Sequence, residues 1–74
     1  MIKTTNKQNE DLAIFGLDVS TFDGNLENLL DELTFMLMRI GMDDEQNNLT
    51  DVGRALRDLH DDIYYQNKYG ELNV

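Results

Sequence analysis

The sequence predicts an all-α fold: a short N-terminal helix packed on a long antiparallel helical hairpin, two copies pairing as a homodimeric four-helix bundle. Three observations carry this. The 74 residues contain no proline, so no position is barred from a helix interior by its ring. Two long stretches space their apolar residues three and four apart, the period of a helix with one buried face. Each helical stretch is followed by a glycine, Gly16, Gly41 or Gly70, the residue that most readily closes a helix in a left-handed conformation.

Size and composition limit what such a fold does. A single domain of 74 residues has a small core, and cores of this class supply only about 3–5 kcal/mol. With no cysteine in the chain, disulfides and thiolate zinc sites are excluded. His60 is the only histidine, so no metal or other cofactor is expected. A second copy or a bound partner is then the remaining source of burial, which is why a homodimer is expected. The formal net charge of −9 repels phosphate backbones and argues against direct nucleic-acid binding. It suits a protein partner with a basic surface. Residues 1–9 hold no apolar signal core, and the apolar run 35–38 is far too short to span a bilayer. The expectation is a soluble, cytoplasmic protein without membrane contact.

Residues 1–8 are polar and predict a flexible tail, followed by a single helical domain over 9–70. Asn9 reads as an N-cap, with Glu10 and Asp11 in the first turn of a helix over about 10–15. Leu12, Ala13, Ile14 and Phe15 form its apolar patch, Gly16 its stop, and Leu17 the apolar residue just beyond. A β-strand over 12–19 is the competing reading of so short a run.

The second helix is expected over about 21–40, opened by Ser20 with Asp23 three residues on, although Gly24 in the first turn allows a start at Asp23 instead. Phe22, Leu26, Leu29, Leu30, Leu33, Met36, Leu37 and Ile40 share one face. Away from it, Asp23, Glu27 and Asp31 make an acidic stripe, which Phe35, Met38 and Met42 continue as a second apolar patch. Gly41 is read as the left-handed stop. A polar loop over 43–48 leads to Asn48 as the cap of a third helix over about 49–69. Its apolar stripe is Leu49, Val52, Leu56, Leu59 and Ile63, with Ala55 beside it and the pairs Arg54–Asp58 and Arg57–Asp61 on the surface. Tyr64, Tyr65 and Tyr69 gather at the far end, Gly70 stops the helix, and 71–74 is a short C-terminal tail.

No catalytic motif emerges. His60 has no serine or cysteine beside it to activate. Asp43, Glu45 and Asn47 suggest a calcium loop, but Asn48 stands where glycine is needed and Arg54 where glutamate is needed. Glu27 and Asp31, set against Asp58, Asp61 and Asp62, are hard oxygen ligands of the kind that hold Mg²⁺ in all-α nucleotide pyrophosphohydrolases. The chain lacks the E-E-x-x-E run of those enzymes and has no cation set with the acids to hold phosphates. A solvated acidic face is the simpler account.

The expected function is therefore a small non-enzymatic protein–protein interaction module, a regulator or inhibitor. Its expected interface is Phe35, Met38 and Met42 with Asp23, Glu27 and Asp31. An acidic nucleic-acid mimic is the alternative: spaced carboxylates would imitate phosphates and block a basic groove, and in charge and size the chain resembles small acidic inhibitors from phages and mobile elements.

Overall fold

A computed structural model describes residues 2–43 and 48–70 of the chain. Among them run α1 (Asn6–Ile14), a 3₁₀ turn (Val19–Phe22), α2 (Leu26–Ile40), the two-residue strands β1 (Met42–Asp43) and β2 (Asn48–Leu49), and α3 (Asp51–Tyr69). The expected short helix and long helical hairpin are both present. Leu29, Leu30 and Leu33 of α2 are buried with Leu56, Leu59 and Ile63 of α3, and Leu12 of α1 joins them. Removing such a side chain from water contributes about 1.5–3 kcal/mol. This core of branched aliphatics is what holds the hairpin closed.

Three features differ from the sequence expectation in the second helix and its connections. First, α2 begins at Leu26 rather than near residue 21, with Asn25 as its cap accepting from the Asn28 N–H at 3.1 Å. Asp23 (φ 50°) and Gly24 (φ 77°) are both left-handed, a conformation that a right-handed helix cannot pass through. Asp18, not Ser20, caps the preceding 3₁₀ turn: the Ser20 hydroxyl and backbone N–H both donate to it. Those two bonds hold the Asp18 carboxyl below its usual value.

Second, the expected loop carries a ladder. Met42 pairs with Leu49 and Asp43 with Asn48, antiparallel; residues 44–47, with Glu45 and Asn47 of the candidate calcium loop, lie outside the described residues. Thr50 rather than Asn48 caps α3, accepting from the Gly53 N–H at 3.1 Å.

Third, Gly41 is not a left-handed stop. Its φ is −97°, a value open to any residue. The reason for glycine is a close approach between α2 and α3. A Cβ on Gly41 would lie 2.7 Å from the Gly53 Cα and 2.8 Å from the Leu37 carbonyl oxygen, while a Cβ on Gly53 would collide with the Gly41 carbonyl. The backbones touch where the hairpin turns. Thr50 seals the junction, its N–H and hydroxyl donating to the Gly41 carbonyl at 2.9 and 3.1 Å. Because Gly53 faces α2 here, Val52 and Ile40, both expected in the core, stay 42% and 55% exposed.

Gly16 and Gly70 do behave as read, with φ of 77° and 71°. At Gly16 the Leu17 N–H reaches back to the Leu12 carbonyl at 2.9 Å and the Gly16 N–H to Ala13 at 3.0 Å, the paired bonds of a Schellman stop. Residues 12–14 are therefore helical, and the strand reading is not realised.

The N-terminal segment is the largest departure. Instead of a tail over 1–8 and an Asn9 cap, Thr5 caps a helix that starts at Asn6. Thr5 and Gln8 form a reciprocal capping box: the Gln8 N–H donates to Thr5 Oγ1 at 3.1 Å, and the Thr5 N–H to Gln8 Oε1 at 3.0 Å. Ile2 is buried in the core. The Lys3 N–H donates to Asn67 Oδ1 at 2.7 Å, and Asn67 Nδ2 returns a bond to the Lys3 carbonyl at 2.9 Å. The chain start is thereby fastened to the end of α3; the expected tail over 71–74 lies outside the described residues. Thr5→Ala is expected to lower stability by about 1 kcal/mol, read as an earlier urea midpoint with an unchanged slope. No shift would mean that the box contributes nothing.

Candidate interaction surface

The surface is built on the side of α2 turned away from α3. With Leu29, Leu30 and Leu33 buried, a rotation of 100° per residue places Glu27, Asp31, Phe35 and Met38 on the opposite side. All four are exposed, Phe35 by 61% and Met38 by 66%. Four of the six expected interface residues thus share one outward face. Neither α1 nor the N-terminal segment covers Phe35 or Met38, although both bury side chains elsewhere in the core.

The other two are placed differently. Asp23 sits in the left-handed turn before α2, so the acidic stripe is not one continuous helical row. The turn nevertheless returns it to the same end of the helix. Thr21, Phe22, Asp23, Asn25, Asn28, Asp31, Glu32 and Phe35 line an open groove of about 640 Å³ there. Met42 belongs to β1, half-buried and paired with Leu49. It adjoins the end of α2 rather than extending its face.

The acids of α3 are spread out. Asp58, Asp61 and Asp62 are exposed, and Arg57 lies 3.6 Å from Asp58. Arg54 pairs with Asp51 at 2.9 Å, not with Asp58; an acid placed N-terminal to its base is the better order on a helix. Among the described residues no group of three or more histidine, cysteine or acidic side chains is gathered to hold a metal ion. His60 is half-buried, its Nδ1 3.0 Å from Asp61 Oδ1. Of the tyrosines, Tyr64 packs on the core, while Tyr65 and Tyr69 stack with ring centres 5.7 Å apart at the surface.

A second concavity, of about 890 Å³, was not foreseen. Ile2, Lys3, Ala13, Leu17 and Val19 are among its lining residues. It exists because residues 2–5 fold back on the molecule. The available signal was Thr5 followed by Gln8, the S/T-x-x-E/Q pattern of a helix start.

No helix among the described residues is long and apolar enough to cross a membrane. The chain matches no protein-family model, no curated protein sequence and no solved structure.

Proposed function

We propose that this chain is a small, non-enzymatic, cytoplasmic protein–protein interaction module, a regulator or inhibitor that works by contact through the outer face of α2. The observation that supports it is the exposure of Phe35 and Met38, at 61% and 66%, on a helix whose opposite side buries Leu29, Leu30 and Leu33 in the core. Apolar side chains grouped on a surface mark places where partners bind, and methionine adapts to irregular partner shapes. Glu27, Asp31 and Asp23 border the patch, and with a net charge of −9 they favour a partner with a basic surface. The homodimer expected from the sequence brings two hairpins, four helices in all, together through this face of α2, which adds burial that a core of this size lacks.

Met38→Asp tests this reading. It is expected to leave helicity intact, since a surface substitution of this kind changes stability by no more than about 0.5 kcal/mol. It is also expected to reduce the sedimenting mass to that of one chain and to abolish retention of a protein partner. Unchanged assembly and unchanged retention would rule out the outer face of α2 as the interface.

A further inference from the structure

We infer that the second copy seats on α2 itself, antiparallel about a two-fold axis. Phe35 of each chain then layers on Met38 of the other, and Arg39 of each faces Glu32 of the other. This rests on the dimer proposed above and specifies its register and orientation.

The spacing comes first. Asn28, Asp31, Phe35 and Met38 follow one another at intervals of three and four, the a and d positions of paired helices, and all are exposed. The seam is apolar only at Phe35 and Met38, because Asn28 and Asp31 occupy its N-terminal half. A two-fold antiparallel pair sets an a position against a d position, so these two side chains form two equivalent layers. A parallel pair would bury the same residues, Phe35 on Phe35 and Met38 on Met38, so the apolar contacts alone do not choose between orientations.

Charge chooses. Glu32 and Arg39 both occupy the e edge of this seam, and Glu27 the g edge; all three are exposed. In the parallel arrangement the g edge of one helix meets the e edge of the other, which sets Glu27 beside Glu32 as a like-charged pair. In the antiparallel arrangement e meets e, and with Phe35 layered on Met38 this sets Arg39 beside Glu32 twice, once on each side of the axis. Complementary flanking charges select orientation and register in this way. Within one chain the two residues are seven apart, a rise of about 10 Å, so neither satisfies the other. The interface is two layers long, which leaves its position sensitive to the flanking pairs.

Sedimentation equilibrium on the full chain, on Glu32→Arg, on Arg39→Glu and on the double reversal tests this. By symmetry each single reversal creates two like-charged contacts and is expected to weaken dimerisation about tenfold. The double reversal is expected to return it to the starting affinity, which only an intermolecular pair allows. Circular dichroism should show equal helicity in all four proteins. Singles that dimerise at full affinity, or a double no tighter than the singles, overturn this register while leaving the dimer itself standing. A starting chain that sediments with the mass of one chain even at millimolar concentration overturns both.

Discussion

Gly53→Ala is expected to lower stability by up to about 2 kcal/mol, against the ordinary sign of this substitution. In a helix interior alanine is favoured over glycine by about 0.8–1.0 kcal/mol. Gly53 lies three residues into α3, and propensity alone predicts a more stable protein. The added methyl, however, would fall on the Gly41 carbonyl, backbone against backbone, with no flexible side chain able to move aside. Overpacking of this kind costs about 1–3 kcal/mol, occasionally more. Here the clash sits at the turn of the hairpin, so relieving it separates α2 from α3 along the core. Less the helix-propensity gain, a net loss of up to about 2 kcal/mol is a large share of the about 3–5 kcal/mol that a core of this size supplies. Gly41→Ala should behave alike, since its methyl would meet the Gly53 Cα at 2.7 Å. Urea unfolding followed by circular dichroism reads both. A Gly53→Ala protein more stable than the parent would show that the helices do not touch there.

Gln66→Leu is expected to cost about 1–3 kcal/mol through its partner rather than through itself. Gln66 is 2% exposed and Gln8 9%. Their amides form a closed pair, Gln8 Nε2 donating to Gln66 Oε1 at 2.6 Å and Gln66 Nε2 to Gln8 Oε1 at 2.9 Å. Leucine at 66 fills similar space but leaves the buried Gln8 Nε2 without its acceptor, and an unmet buried polar group costs more than a made bond contributes. Gln8→Leu should cost more than Gln66→Leu, because Gln8 Oε1 also accepts from the Thr5 N–H in the capping box. The double leucine variant is then expected to be more stable than the sum of the two losses predicts, an interaction of about 0.5–3 kcal/mol in a double-mutant cycle. Strict additivity would mean that the pair does not act as a unit. The same cycle, read by proteolysis near residues 2–5, reports whether the pair fastens the N-terminal segment.

The helical architecture was legible in the sequence because periodicity and glycine placement act locally. Leu29, Leu30 and Leu33 announced their face by spacing alone, and Gly16 and Gly70 announced their stops by a conformational freedom that requires no neighbour. The outward placement of Glu27, Asp31, Phe35 and Met38 followed from the same wheel. Asp23 and Met42 were misplaced because a wheel assumes a continuous helix, and the left-handed turn at Asp23 and Gly24 and the ladder at Met42 interrupt it. The Thr5–Gln8 pattern is present in the sequence, but it falls inside the polar stretch 1–8, whose composition suggests a tail.

The order of side chains along one rod was thus enough for the short helix, the helical hairpin and the buried Leu29–Leu33 and Leu56–Ile63 faces, though not for where α1 and α2 begin. The need for glycine at 41 and 53, the burial of Gln8 and Gln66 and the place of Ile2 in the core come from the assembled fold. Each of these is a fit between residues far apart in the chain: a backbone contact across the hairpin, an amide pair spanning 58 positions, an apolar side chain held at the core beside the bonds between Lys3 and Asn67. Glycine and glutamine carry no apolar signal, so nothing local marks them as core until the partner surface is in place.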